Sequence, residues 1–159
     1  MAKLKGYLAG AIRDENPHDF KWRKKAHEKL NDVATIYNPM HGKTYDEKER
    51  KWSVFEEDVT AQFITSADFW AIDHCEFAIF NFLALQDNYP MLGTTSEWGR
   101  STARSILRFV VWPTGFNGHQ HAQFQEIHPF INMFATKVFN EVNPCLAFVR
   151  SYLIALGSR

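Results

Sequence analysis

The sequence predicts an α/β domain in which a parallel β-sheet is covered by helices on both faces. Two observations lead to this prediction. Short apolar segments alternate with amphipathic helical segments along the chain. One apolar segment, residues 77–80, is apolar on both faces, as a central parallel strand should be. Right-handed crossovers then make 2-1-3-4-5 the natural order of a doubly wound sheet of about five strands.

The predicted elements follow from local patterns. Five strands are expected at residues 4–12, 33–37, 75–83, 106–112 and, as an edge strand, 136–142. Helices are expected at residues 19–32, from 52 to about 74, from 93 onwards, at 122–134 and at 143–156. Asn143-Pro144 is a good cap pair for the last helix. The polar segment 41–49 is expected to be a loop.

Length and composition exclude several classes of protein. The 159 residues suffice for one domain (1–159) with one hydrophobic core, and 45% hydrophobic residues argue against disorder. Lysine plus arginine and aspartate plus glutamate number 18 each, so no net field would attract nucleic acid or an anionic membrane. The two cysteines, Cys75 and Cys145, fit a reducing compartment. With no signal peptide or bilayer-spanning run, we expect a cytoplasmic protein.

The predicted strand order also predicts where a ligand binds. The direction of winding reverses between the first and third strands, and ligands bind at the carboxyl ends of the strands at such a point. Residues 10–14 follow the first strand, and residues 81–97 follow the third. Topology therefore places Glu97 beside the predicted pocket.

Glu97 has two interpretations. Thr94-x-x-Glu97 matches a capping box, in which the glutamate of the first helical turn reaches back to the cap residue. Alternatively, the carboxylate is a nucleophile that attacks an anomeric carbon and forms a covalent glycosyl-enzyme. The sequence pattern alone leaves both interpretations open.

Glycosyl transfer also needs a second acid near the leaving group. Proximity to the predicted pocket offers five candidates: Asp14, Asp68, Asp73, Glu76 and Asp87. Periodicity does not choose among them. Asp68 fits poorly, because its helix runs back toward the start of the third strand and should carry later residues away from the carboxyl ends.

Other signals are weaker. His119 and His121 resemble metal ligands, but no third ligand has diagnostic spacing, and we expect no metal. The basic cluster at residues 21–25 is more typical of a solvated helix face than of a phosphate site. The chain contains no P-loop, GxGxxG or GxSxG motif, and we expect no cofactor.

Three motifs occur together in a familiar order. They are Gly6-Tyr7-Leu8-Ala9-Gly10-Ala11-Ile12-Arg13, Asp68-Phe69-Trp70-Ala71-Ile72 and Gly93-Thr94-Thr95-Ser96-Glu97-Trp98-Gly99. With this order and spacing, residues 4–112 resemble the nucleoside 2-deoxyribosyltransferase family, which includes the 2'-deoxynucleoside 5'-monophosphate N-glycosidases. The resemblance implies a flavodoxin-like sheet and cleavage of the bond between a nucleobase and a deoxyribose. It also implies a homodimer or larger homo-oligomer in which a neighbouring subunit completes the site.

The resemblance assigns roles to individual residues. Glu97 matches the nucleophile, Tyr7 matches the tyrosine that orients it, and Asp68 matches the proton donor to the departing base. The residues expected to bind substrate are Gly10, Ile12, Arg13, Asn81, Met91, Gly93 and Thr94.

The sequence departs from the family pattern at the 5' end of the substrate. At the position of Met91, transferases tend to have an aspartate for the 5'-hydroxyl group, and monophosphate hydrolases a serine for phosphate. Asp14-Glu15 also replaces small residues that would leave room for phosphate, and Glu76 replaces an aspartate. The leading hypothesis is therefore a nucleoside deoxyribosyltransferase. The alternatives are a deoxynucleotide N-hydrolase and a nucleotide-binding module without activity.

Overall fold

The computed structural model describes residues 3–13, 16, 18–40, 43–46, 51–54, 61–114 and 127–157. In chain order the elements are β1 (Leu4–Gly10), α1 (His18–Leu30), β2 (Ala34–Tyr37), β3 (Lys43–Asp46), β4 (Lys51–Val54), α2 (Ala61–His74), β5 (Phe77–Asn81), a 3-10 helix (Leu83–Asp87), α3 (Leu92–Thr102), β6 (Leu107–Val111), α4 (Pro129–Phe134), β7 (Lys137–Phe139) and α5 (Val142–Gly157).

Five of these strands form one parallel sheet in the order β2-β1-β5-β6-β7. Numbered within the sheet, this is the predicted order 2-1-3-4-5, and the fold prediction is confirmed. In the register of β1 with β5, Gly6 lies opposite Phe77 and Gly10 opposite Asn81. A Cβ atom on Gly6 would lie 2.2 Å from the Phe77 ring, so only glycine allows this ring to pack against β1.

Helices cover both faces of the sheet and bury a separate apolar layer on each. Successive residues of β1 point to opposite faces: Tyr7 and Ala9 enter one layer, and Leu8 enters the other. Helices α2 and α3 pack together on the Tyr7 face, and α1 and α5 pack together on the Leu8 face. This layering places the carboxyl end of β1 between the two pairs of helices.

The predictions for residues 41–60 were wrong where the structure describes them. The segment predicted as a loop and the start of the helix predicted from Trp52 instead contain the antiparallel strands β3 and β4. Strands of four residues are too short to show clear alternation, and the aromatic spacing that begins at Trp52 resembles a helix. Helix α2 begins at Ala61 and ends at His74, as predicted for its end.

The carboxyl-terminal third agrees with prediction in part. Strand β7 lies within the predicted edge strand, and α4 lies within the predicted helix 122–134, whose earlier part is outside the described residues. Helix α5 begins at Val142, so Asn143 and Pro144 lie inside its first turn and do not cap it. In the described segments, no helix has the length and apolar character needed to cross a bilayer.

Candidate active site

A buried hydrogen bond joins the first strand to the third helix. Tyr7 lies midway along β1 with 1% of its surface exposed, and Glu97 lies on α3 with 9% exposed. The phenol of Tyr7 donates to Oε1 of Glu97 at 2.6 Å. These residues are 90 positions apart in sequence, so the fold, and not local geometry, brings them together.

The capping-box interpretation of Glu97 is wrong. Helix α3 begins at Leu92, and Met91 occupies the cap position without a capping side-chain hydrogen bond. The hydroxyl group of Thr95 donates to the carbonyl oxygen of Met91, at 2.8 Å, from inside the helix. Glu97 therefore lies beyond the first turn, and its carboxyl group reaches across to β1 and not back to the start of its own helix.

Asp68 acts on both members of this pair. It is half-buried on α2, and its negative charge raises the pKa of Tyr7 and that of Glu97. The expectation that Asp68 would be carried away from the site was wrong. Because Tyr7 lies midway along its strand, a residue midway along α2 reaches it.

Burial controls the protonation of the pair. Loss of solvent raises the pKa of Glu97 to about 7, and the charge of Asp68 acts in the same direction. The hydrogen bond from Tyr7 and the charge of Arg23 oppose this rise. Burial, followed by the charges of Glu97 and Asp68, raises the pKa of Tyr7 far above its usual value, so Tyr7 remains a neutral donor.

The raised pKa predicts a pH-dependent gain in stability for Glu97→Gln. Between the ordinary value of 4.5 and about 7, the folded protein retains a proton that the unfolded chain has lost. The free energy of unfolding of the wild type should therefore fall as pH rises through this window, in total by on the order of 3 kcal/mol. Urea unfolding should show Glu97→Gln to be the more stable protein at about pH 8, with this advantage lost at about pH 4. An advantage that is independent of pH would contradict the assigned pKa.

The other acidic candidates have different surroundings. Asp73 pairs with Arg100, and Glu76 accepts from the main-chain N–H of Lys5 near the amino end of the sheet. Asp87 pairs with Arg13, while Asp14 lies outside the described residues. Of the described candidates, Asp68 is the one whose charge acts on Tyr7 and Glu97 together.

Arg13 is held by two carboxylates. Its Nε and Nη2 atoms donate to Asp19 at 2.6 and 2.9 Å, and its Nη1 atom donates to Asp87 at 2.7 Å. Its guanidinium also lies over the Tyr89 ring, 5.3 Å from the ring centre. This group of one cation and two anions joins the segment after β1 to α1 and to the 3-10 helix.

A cavity of about 230 Å³ lies beside this group and is lined in part by Ala11, Arg13 and Asn81. Tyr7, Asp68 and Glu97 do not line it. The cavity therefore belongs to the Arg13 side of the predicted site. The Tyr7–Glu97 hydrogen bond lies instead on the α2–α3 face, where Tyr7 belongs to the apolar layer.

The remaining residues predicted to bind substrate differ in solvent exposure. Asn81, Met91 and Thr94 are buried, and Met91 packs in the same apolar layer as Tyr7. The side-chain oxygen of Asn81 accepts from the Leu83 N–H at 3.0 Å. The others at this edge are only partly buried or exposed: Gly10, Ile12 and Gly93.

The sequence interpretation missed Arg23, which was assigned with its basic neighbours to a solvated helix face. Arg23 is 1% exposed, and its guanidinium donates to the carbonyl oxygens of Gly10, Ala11 and Asp19. One signal was available: Arg23 lies beside the apolar stripe of α1, adjacent to Trp22 and three residues before Ala26.

Histidines 119 and 121 lie outside the described residues, so the weak metal hypothesis is not tested at those positions. Within the described segments, no group of three or more histidine, cysteine or acidic side chains is arranged to hold a metal ion.

No family model and no curated protein sequence matches this chain. Solved structures do match it. A conserved protein from Enterococcus faecalis has a TM-score of 0.66 at 15% identity, over 95% of this chain and 99% of that one. The 2-deoxyribosyltransferase of Bacillus psychrosaccharolyticus has a TM-score of 0.62 at 22% identity, over 94% and 95%. The CMP N-glycosidase of Clostridium botulinum has a TM-score of 0.55 at 13% identity, over 91% and 97%.

The chain has the fold of the 2-deoxyribosyltransferases. The resemblance drawn from the three motifs is thus confirmed at the level of the fold. Within this fold, Tyr7 donates a hydrogen bond to Glu97, and the charge of Asp68 acts on both. The catalytic roles of the three residues stay predictions. Assembly with a second copy of the chain stays a prediction.

Proposed function

We propose that this protein is a member of the nucleoside 2-deoxyribosyltransferase family that exchanges the base of a 2'-deoxynucleoside through a covalent intermediate on Glu97. The observation that carries the proposal is the buried hydrogen bond of 2.6 Å from Tyr7 to Glu97, next to the charge of Asp68. Two carboxyl groups that interact in this way do not readily ionise together, because each charge disfavours the other, so they share one proton near neutral pH. The proposed reactive state is the one in which Glu97 is ionised and Asp68 holds that proton.

The chemistry proceeds in two displacements. Tyr7 occupies Oε1 of Glu97, which leaves Oε2 to attack C1' of the sugar. The bond from C1' to the base nitrogen breaks, its electron pair stays with the base, and Asp68 supplies the proton that neutralises the base. A nitrogen atom of a second base then attacks C1' while Asp68 takes back a proton from that base, the carboxylate of Glu97 leaves, and the configuration at C1' is retained.

The surroundings of Arg13 favour an unphosphorylated substrate. A phosphate would have to compete with Asp19 and Asp87 for the guanidinium and would meet their negative charge. The buried thioether of Met91 offers neither a positive charge nor an N–H donor to a 5'-phosphate. A nucleoside therefore fits these residues better than a nucleoside monophosphate.

Base exchange tests the proposal directly. The protein is incubated with a deoxynucleoside and a different free base, and products are separated by chromatography. A parallel reaction contains the corresponding 5'-monophosphate. We expect a new nucleoside in the first reaction and little product in the second. Release of base from the monophosphate alone would instead establish an N-hydrolase, and binding without turnover would establish an inactive module.

Asp87→Asn should shift substrate preference toward the monophosphate. The change removes one negative charge and one of the charged partners of Arg13. Because the Asp87 carboxylate is largely solvent-exposed, the effect should be modest, and kcat/KM for the monophosphate relative to the nucleoside should rise about 3- to 10-fold. Asp32→Asn is the matched control, since Asp32 pairs with Arg150 away from the site. An unchanged ratio in Asp87→Asn would show that Arg13 does not face the 5' end of the substrate.

A further inference from the structure

The side chain of Arg23, on α1, is buried against the carboxyl end of β1. The guanidinium of Arg23 donates to the carbonyl oxygens of Gly10 at 2.7 Å, Ala11 at 3.0 Å and Asp19 at 2.6 Å. Gly10 and Ala11 end β1 and begin the segment that leads to Arg13. Arg23 therefore fixes the main chain of the predicted substrate loop from the α1 side.

Arg23 carries its positive charge in a buried position. Moving a cation out of water is costly unless negative charge or oriented dipoles compensate. The three carbonyl groups supply dipoles. The negative charge with the largest effect on the pKa of Arg23 is that of Glu97, ahead of those of Asp19 and Asp68. Burial lowers the pKa of Arg23 to about 10, so the side chain is still a cation near neutral pH.

Arg23 and Glu97 each favour the charged form of the other. From β1, Tyr7 donates a hydrogen bond to Glu97, and from α2, Asp68 presents a negative charge that disfavours a second anion. From α1, Arg23 presents a positive charge that favours the anion. A nucleophilic carboxylate must be ionised, so this cation acts on the protonation state that the first displacement requires.

We propose that Arg23 is a positioning residue, which holds the Gly10–Ala11 main chain of the substrate loop with its hydrogen bonds and places a positive charge on the side of β1 opposite the Tyr7–Glu97 pair. The effect on activity rests on the function proposed above. The effect on the ionisation of Glu97 does not depend on it.

Two substitutions separate the two roles. Arg23→Met removes both the charge and the hydrogen bonds, whereas Arg23→Lys keeps the charge and loses the forked donor geometry. Lys29→Met is the matched control, because Lys29 is exposed on the same helix. In protein labelled with carboxyl-¹³C glutamate, the Glu97 signal is assigned by its loss in Glu97→Gln. The carboxyl titration is then followed by NMR without substrate.

In Arg23→Met the titration midpoint of Glu97 should rise by about one pH unit, and kcat/KM near pH 7 should fall about 10- to 100-fold. Part of this loss should be recovered at higher pH. Arg23→Lys should keep the wild-type midpoint but raise KM several-fold, and Lys29→Met should change neither quantity.

An unchanged midpoint in folded Arg23→Met would overturn the electrostatic role. Should that variant fail to fold, a wild-type KM in Arg23→Lys would overturn the role in positioning the loop. If no nucleoside or nucleotide is turned over but the midpoint shifts as expected, the proposed function fails and the electrostatic role of Arg23 stands.

Discussion

Replacing Glu97 with glutamine should lower kcat for base exchange by at least about 1,000-fold, because an amide does not form the glycosyl-ester intermediate. The side chain keeps its shape, and its oxygen still accepts the hydrogen bond from Tyr7. The loss should therefore reflect chemistry and not unfolding. Initial rates of exchange, measured with a saturating deoxynucleoside and free base, test this expectation.

Glu28→Gln is the matched control for this variant, since the same chemical change is made at an exposed position on α1. It should retain wild-type activity. Wild-type activity in Glu97→Gln, or in the shorter Glu97→Ala, would remove the assigned nucleophile.

Asp68→Asn should lower kcat by about 100- to 1,000-fold, the range expected for loss of a general acid. The loss should depend on the departing base. A base that leaves readily without protonation needs the acid less, so its rate should fall less than that of a poor leaving group. Rates measured across a series of deoxynucleosides with bases of different basicity test this dependence.

Asp68→Asn should also shift the pH dependence of kcat/KM. The charge of Asp68 raises the pKa of Glu97, so its removal should allow Glu97 to ionise at lower pH. The acidic limb of the kcat/KM profile should therefore shift to lower pH in Asp68→Asn. An equal loss with every base, together with an unshifted limb, would contradict both roles of Asp68.

The sheet could be predicted because its signal is carried by each segment alone. Residues 77–80 are apolar on both faces, and this pattern survives without knowledge of any neighbour. The hairpin of β3 and β4 was missed because its strands are short and one of them starts a run of aromatic residues with helical spacing. Local pattern therefore identifies the interior of this fold better than its small accessory elements.

The site residues also differ in how far local sequence identifies them. Tyr7, Asp68 and Glu97 were named from motif resemblance, while residue pattern alone left Glu97 between a cap and a nucleophile. For Arg23, helical periodicity indicates a position beside the apolar stripe of α1, but it does not reveal the main-chain carbonyl groups of Gly10 and Ala11 that accept its hydrogen bonds. Contacts between side chains and a distant main chain are a property of the tertiary structure.

The central claim is that Glu97 forms a covalent bond with the sugar, and mass spectrometry of the enzyme quenched during turnover tests it most directly. Peptide mapping after acid quench should find a deoxyribosyl adduct on the peptide that contains Glu97, and Glu97→Gln should show none. If product forms while the quenched enzyme carries the adduct on a different residue, or carries no adduct, the account is contradicted.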